Sequence, residues 1–186
     1  MSMQLSTRRF TVHDFHRMAQ AGIFSEDDRV ELLDGEIIEM TPIGSRHAAC
    51  VARLDRLFNL RLGTAGIVWV QNPIKIDDRT EPQPDLVLLR PRPDFYAQAH
   101  PGPDDVLLLI EVADTTLEMD REVKLPLYAK AGIREVWIVD LTGGTVQLYR
   151  QPSLQGYQTS IQARGIEQLT AEALPNLTIS ASDILI

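Results

Sequence analysis

Cysteine, basic charge and long apolar runs are all scarce in this chain of 186 residues. The one cysteine, Cys50, excludes an internal disulfide and any zinc site built from paired cysteines, which favours a reducing compartment. The formal net charge of −8 argues against a protein coated in basic residues, because non-specific nucleic-acid binding depends mainly on phosphate neutralisation by Lys and Arg. Any face that binds nucleic acid must therefore be local.

No segment has the length and hydropathy expected of a membrane anchor or a secretion signal. The first nine residues are polar, and the longest strongly apolar run, Val106–Ile110, is far too short to cross a bilayer. We therefore expect a cytoplasmic protein without a membrane partner. With 44% apolar residues, the chain is long enough to bury one sizeable core, so we expect residues 1–186 to form a single domain.

The first part of the chain predicts a short helix, a β-hairpin and a long helix. Thr11 resembles a helix cap, and a helical stripe of apolar residues follows it. The dipeptide Asp34-Gly35 suits a tight turn between two short strands within Arg29–Met40. From Ser45 to Leu62, apolar residues recur at close to 3.6-residue spacing, which predicts the best-defined helix of the chain.

The remaining sequence alternates apolar runs with turn formers, a pattern typical of strands. Val106–Val112 is apolar until Glu111, as in a central strand that is covered on both faces. Arg121–Ala131 predicts a helix that Pro126 either kinks or opens. This order of elements predicts an α/β fold with a mixed central β-sheet flanked by helices. The other predicted strands are Ile67–Gln71, Ile74–Ile76, Asp85–Leu89, Glu135–Val139, Val146–Tyr149 and Tyr157–Ile161.

Two carboxylates occupy strand positions that are otherwise apolar. Asp85 opens one apolar strand and Glu111 interrupts another. Burying a lone carboxylate is costly unless a charge, hydrogen bonds or a metal offset it, although a solvated strand end would leave Asp85 in water. If the two strands are neighbours, the two acids can converge on magnesium, which prefers carboxylate oxygens. Lys124, on the following predicted helix, could then orient an attacking water, or it could be an ordinary solvated lysine.

Basic and aromatic residues give weaker indications of a nucleic-acid interface. Arg46, Arg53 and Arg56 lie near one face of the long predicted helix and could meet phosphates, although Asp55 among them favours an ordinary solvated face. Three aromatic residues within apolar elements are more typical of core packing than of base stacking. They are Tyr128, Trp137 and Tyr149.

The combined string of motifs resembles the PD-(D/E)xK nuclease superfamily, and within it the Uma-type family of predicted restriction endonucleases. The resemblance covers roughly Phe10–Tyr157 and is much more specific than any one motif. It implies a restriction-endonuclease-like central sheet, preceded by the N-terminal helix and the β-hairpin. The matching segments are Val30–Glu36, Ser45–His47, Gln83–Asp85, Glu111–Val112, Asp120–Lys124 and Leu127–Asp140.

The resemblance implies an endonuclease that uses magnesium or manganese to hydrolyse phosphodiester bonds, with DNA as the favoured substrate. Asp85 and Glu111 match the two acidic positions that bind the metal. The superfamily places a lysine two residues after the second acid, where this chain has Ala113, and the matching lysine of the Uma-type family is Lys124. Glu31 matches an acidic hairpin position near the site, where it could bind the metal directly or through water. Alternatively, Glu31 is an ordinary exposed glutamate of the hairpin.

Two more residues are candidates for supporting roles. His47 could contact a metal ligand, or it could carry a proton because imidazole titrates near neutrality. Alternatively, it makes only a structural contact in the first turn of its helix. Gln83 could orient substrate or water. A homodimer would suit the cutting of two antiparallel strands.

Two other functions remain open on the same fold. A non-catalytic module that binds nucleic acid or a protein partner is favoured by the acidic charge and by Ala113. A metal-dependent hydrolase of nucleotides or other small phosphoesters would keep the site without binding long duplexes. The sequence contains no zinc finger and no evident helix-turn-helix, so it does not predict a recognition sequence.

Overall fold

The computed structural model of the protein describes residues 7–25 and 27–185. The helices are α1 (Val12–Gln20), α2 (Ser45–Leu62), α3 (Leu117–Met119), α4 (Leu125–Lys130) and α5 (Ala181–Ile184). The strands are β1 (Val30–Leu33), β2 (Glu36–Glu39), β3 (Ile67–Val70), β4 (Leu86–Leu89), β5 (Val106–Ala113), β6 (Glu135–Asp140), β7 (Thr145–Ser153), β8 (Gly156–Ala163), β9 (Gln168–Thr170) and β10 (Thr178–Ser180). No helix in these ranges has both the length and the apolar character needed to cross a membrane.

A mixed sheet of six strands forms the centre of the fold, in the order β3-β4-β5-β6-β7-β8. Strands β5 and β6 pair in parallel, and the other neighbours in this sheet are antiparallel. The hairpin β1–β2 and the pair β9–β10 form two small separate sheets. The predicted mixed α/β fold, with helices flanking a central mixed sheet, is therefore confirmed.

Strand β5 is covered on both faces, and all its residues are buried. Ile110 and Val112 pack into the cluster that contains α2, whereas Leu109 and Ala113 pack into the cluster that contains α4. Side chains alternate between the faces of a strand, so Glu111 points to the α4 face together with Leu109 and Ala113. The helix that follows β5 thus covers the carboxylate of Glu111.

The predicted N-terminal elements are confirmed, together with their local signals. The Thr11 hydroxyl accepts a hydrogen bond from the Asp14 amide at 3.1 Å, and the Asp14 carboxylate accepts one from the Thr11 amide, which forms a capping box. Asp34 and Gly35 have φ values of 47° and 79°, as the tight turn of the hairpin requires. Helix α2 spans the predicted range.

One predicted strand is wrong. Ile74–Ile76 forms no strand and does not join the central sheet. Its backbone amides bond to the carbonyls of Pro82 and Thr80 in the segment that follows. Pro73, just before it, has no amide to donate to a neighbouring strand, so the chain folds back on itself here.

The helical segment predicted at Arg121–Ala131 begins earlier, at Leu117, and contains one wide turn. The Leu125 amide donates to the Asp120 carbonyl, a spacing of five residues that widens the helix. Pro126 follows this turn within the first residues of α4, where it has no amide to donate. Asp120 and Lys124, at the two ends of the wide turn, are both buried.

Trp137 and Tyr128 are almost completely buried, which confirms that they pack in the core rather than stack on bases. Tyr149 is half-buried and packs at the edge of the cluster that contains α4. The buried hydroxyl of Tyr128 donates a hydrogen bond to the Glu111 carboxylate.

Candidate functional site

A cavity of about 750 Å³ opens between the β1–β2 hairpin, the start of α2 and the α3–α4 segment. The residues that the sequence singled out for a site meet in this one cavity. They are Glu31, His47, Gln83, Asp85, Glu111 and Lys124.

Asp85 lies immediately before β4, and its carboxylate contacts three groups. Oδ2 accepts a hydrogen bond of 2.9 Å from the Val112 amide and lies 3.0 Å from Nε2 of His47. The side-chain amide of Gln71 donates to Oδ1 at 3.2 Å. The Asp85 side chain is 15% exposed, so these contacts rather than bulk water fix its orientation.

Glu111 is buried in the middle of the sheet and has polar partners on both carboxylate oxygens. The Tyr128 hydroxyl donates to Oε1 at 2.6 Å, and the Asp85 amide donates to Oε2 at 3.3 Å. Burial raises the pKa of Glu111 to about 8, although the Lys124 ammonium opposes this shift. The negative charge of Asp120 adds to the rise.

Lys124 forms the centre of a buried ionic cluster. Its Nζ lies 3.1 Å from Oε1 of Glu31 and 3.4 Å from Oε1 of Glu111. Burial alone would lower the pKa of Lys124, but the carboxylates of Glu111, Glu31 and Asp120 outweigh it and raise the pKa above its ordinary value. The side chain is therefore a cation at neutral pH.

Ala113, two residues after Glu111, lies on the same face of β5 as Glu111. Lys124 brings its ammonium to this face from the wide helical turn. The contact between Lys124 and Glu111 is thus made by a helix packed on the sheet rather than by the strand itself.

Glu31 is buried on β1, so it is not an exposed hairpin glutamate. Its Oε2 accepts a hydrogen bond of 3.0 Å from the backbone amide of Gln83. The side-chain amide of Gln83 donates to the carbonyl of Gln71. These bonds hold the hairpin and the segment before Asp85 in one arrangement.

His47 contacts Asp85 from the first turn of α2. The hydrogen bond with Asp85 raises the pKa of His47, and burial partly opposes it. Within residues 7–25 and 27–185, the buried Nδ1 of His47 has no hydrogen-bond partner. His47 therefore orients Asp85 through one ring nitrogen.

Three residues of the site were not assigned a role from the sequence. Asp120 is buried at the cavity, bonds to the Thr116 hydroxyl at 3.0 Å, and has its pKa raised to about 6 mainly by burial. Its position four residues before Lys124 is a signal that could have revealed it. No sequence signal marks Tyr128 or Gln71 as part of the site. Tyr128 occupies a position typical of the core, and Gln71 occupies one typical of a loop.

Two of the arginines on α2 bind other parts of the protein. Arg46 contacts Asp114 at 3.2 Å and donates to the Leu141 carbonyl at 2.9 Å. Arg53 donates to the Leu185 carbonyl at 2.7 Å. These contacts attach α2 to its neighbours.

A solved structure shares this architecture. It is a protein from Anabaena variabilis ATCC 29413 described as a "putative nuclease belonging to DUF820". The match has a TM-score of 0.70 at 16% sequence identity and covers 94% of this chain and 97% of that one. The central mixed sheet with its flanking helices is therefore also the fold of that protein.

The chain belongs to the Uma2 family, described as "Putative restriction endonuclease", whose model matches residues 12–182. This match confirms the family resemblance of the motifs. No curated protein matches the chain. Family and fold together support a nuclease, which is a hydrolase acting on phosphodiester bonds.

Proposed function

We propose that the protein is a metal-dependent endonuclease that hydrolyses phosphodiester bonds of DNA. The observation that carries the proposal is the buried cluster in which Lys124 contacts Glu31 and Glu111 beside Asp85, on the wall of one cavity. Two acids and a lysine that converge in a cavity large enough for a nucleotide match the residues that this reaction needs.

Asp85 and Glu111 would hold magnesium or manganese. The hydrogen bond from the Asp85 amide to the Glu111 carboxylate keeps the two residues adjacent. Two carboxylates are a suitable donor set, because magnesium is usually held by one or two carboxylates with water and phosphate oxygens around it. When bound, the ion polarises the phosphodiester and activates the attacking water.

Lys124 assists the reaction as a hydrogen-bond donor. Because its neighbouring carboxylates keep it protonated, its Nζ can orient the attacking water and stabilise negative charge on the phosphate, but it cannot accept a proton. Glu31 positions this ammonium through the 3.1 Å ion pair. His47 and Gln71 hold the Asp85 carboxylate.

The proposed working unit is a homodimer in the cytoplasm. Two active sites suit the cutting of both strands of a duplex, and a dimer of this chain would bring two such cavities together. A reducing location suits Cys50, whose thiol is buried and whose pKa burial raises to about 12. Light scattering of the purified protein, alone and with a duplex, tests the dimer.

Cleavage of supercoiled plasmid and of single-stranded DNA tests the proposed reaction. The parent protein should cut with magnesium or manganese and not with a chelator, and both Asp85→Asn and Lys124→Met should abolish cutting. Glu122→Gln is the matched control, because Glu122 is an exposed carboxylate at the rim of the same cavity. It should cut at least as well as the parent protein.

Undiminished cutting by Asp85→Asn would overturn the proposal. Asparagine keeps the size of the side chain, so circular dichroism should be unchanged and a loss of cutting would report chemistry rather than unfolding. Calorimetric titration with magnesium should show binding by the parent protein and weaker binding by Asp85→Asn.

A non-catalytic module that binds nucleic acid or a protein is the second candidate. It is favoured by the net charge of −8 and by Lys124, which already neutralises part of the acidic cluster without an ion. A parent protein that neither cuts DNA nor binds magnesium, while it still binds DNA or a partner, would favour this function over the nuclease.

A further inference from the structure

A second group of metal-ligating side chains lies outside the catalytic cavity. His16 is on α1, Glu81 is in the segment between β3 and β4, and His100 is in the loop before β5. One ring nitrogen of each histidine and one carboxylate oxygen of Glu81 all lie within 4.8 Å of one another. None of these three residues lines the cavity that contains Asp85.

The side chains of His16, Glu81 and His100 are close to the spacing of metal ligands. Nε2 of His16 is 2.5 Å from Oε1 of Glu81, and the His100 ring lies edge-on to the His16 ring with centroids 6.3 Å apart. Ligand atoms around tetrahedral zinc are about 3.3 Å apart, given metal–ligand bonds of about 2.0–2.1 Å. A small separation of His16 from Glu81 and a rotation of the exposed His100 would reach that geometry.

The carboxylate of Glu81 also indicates a cation-binding site. Its side chain is 3% exposed, and its Oε2 has no hydrogen-bond partner in the described part of the chain. A buried carboxylate with one oxygen unsatisfied is costly. The imidazole of His16 contacts only the other oxygen. A cation bound beside both histidines would supply the charge that this carboxylate needs.

We propose that His16, Glu81 and His100 form a binding site for a transition-metal ion of the zinc class. Two imidazoles and one carboxylate are ligands typical of zinc, whereas magnesium prefers oxygen ligands alone. Three protein ligands leave a fourth position open, on the side where His100 is exposed.

The ion would attach α1 to the strand that carries Glu31. The backbone of Glu81 pairs with Leu32, with the Glu81 amide donating to the Leu32 carbonyl at 2.8 Å. Leu32 is the next residue after Glu31. Helix α1 already contacts the same segment through the Val12 amide and the Asp78 carbonyl, at 2.7 Å. Metal binding would therefore stabilise this side of the protein without taking part in catalysis.

The test uses full-length, untagged protein from which metals have been removed, in excess magnesium so that the catalytic cavity is not a competing site. Zinc affinity is measured by competition with a chromophoric chelator, and cobalt is used for its visible absorption. We expect one zinc ion per chain, a rise in melting temperature with zinc, and cobalt bands of a nitrogen- and oxygen-ligated site.

Variants then assign the ligands. His100→Ala and Glu81→Gln should each weaken zinc binding roughly tenfold or more. His13→Ala is the matched control, because His13 is an exposed histidine on the same helix as His16. It should bind zinc as the parent does. Because His100 is also exposed, its replacement tests the ligand without disturbing the core.

Three results would overturn the zinc site. They are no zinc binding by the parent, equal affinity in the parent and His100→Ala, and loss of binding in Asp85→Asn with retention in His100→Ala. The last would place the ion in the catalytic cavity. DNA cutting is not the readout, so failure of this site leaves the proposed nuclease standing.

Discussion

The ammonium of Lys124 lies 3.1 Å from a carboxylate oxygen of Glu31, and the two side chains are 8% and 4% exposed. Glu31 belongs to the hairpin and Lys124 to the wide helical turn, so this ion pair joins two elements that are distant in the chain. Breaking a buried ion pair on one side is costly, because the remaining charge stays buried without its partner.

Replacing Lys124 by methionine should therefore lower the free energy of unfolding by about 3–5 kcal/mol. Urea unfolding in chelator measures this change. Lys130→Met, at an exposed position on α4, should change stability by no more than about 0.5 kcal/mol. Adding Glu31→Gln to the Lys124→Met protein should recover part of the loss, and an equal or larger loss in the double variant would contradict the assignment.

The Tyr128 hydroxyl should stabilise the protein more than an ordinary buried hydroxyl does. Above pH 8 its partner Glu111 is ionised, so Tyr128→Phe should cost about 1.5–3 kcal/mol. Tyr157→Phe removes a hydroxyl that bonds to the neutral Ile133 carbonyl, and it should cost about 0.5–1.5 kcal/mol. Urea unfolding of both variants tests which replacement costs more stability. A smaller cost for Tyr128→Phe than for Tyr157→Phe would count against a charged partner.

If Glu111 holds magnesium as proposed, magnesium affinity should depend on pH through this carboxyl. In the metal-free protein the pKa of Glu111 is raised to about 8, whereas a metal ligand must be ionised. Binding should therefore release a proton, and affinity should rise up to about tenfold per pH unit below 8 and level off above it. Calorimetry in buffers of different ionisation enthalpy measures this proton release.

Burial raises the pKa of the Asp120 carboxyl to about 6. Its titration should add a second, smaller pH dependence to the magnesium affinity. Asp120→Asn should keep the step but move it below pH 8, because the Asp120 charge contributes to the raised pKa of Glu111, whereas Glu111→Gln should remove the step. An affinity that stays flat from about pH 6 to pH 8 would exclude Glu111 as the titrating ligand.

The imidazole of His47 should titrate above its ordinary range in the metal-free protein, because Asp85 accepts its hydrogen bond. Asp85→Asn should lower the pKa of His47, and NMR titration of the ring protons measures the difference. Because the pKa of His47 is higher in the native than in the unfolded protein, its contact with Asp85 stabilises the fold fully below the unfolded pKa of about 6.5. This stabilisation is lost as the pH rises through the native pKa. An unchanged His47 pKa in Asp85→Asn would contradict the contact.

Local patterns in the sequence determined much of the fold. The apolar spacing of Ser45–Leu62 predicted α2, Asp34-Gly35 predicted the hairpin turn, and the run Val106–Val112 predicted a strand covered on both faces. The same pattern identified Glu111, because a carboxylate inside an apolar strand stands out. These features could be predicted because helix and strand periods and turn preferences depend on residues that are close in the chain.

Tertiary structure alone decided which side chains meet. A hairpin glutamate and a helical lysine are usually exposed, and only packing buries Glu31 against Lys124. Asp120 and Lys124 lie at the two ends of one wide helical turn, which the apolar spacing of the sequence did not predict. His16, Glu81 and His100 come from three separate segments. Contacts of this kind depend on strand register and on packing between elements, and no local pattern of residues encodes them.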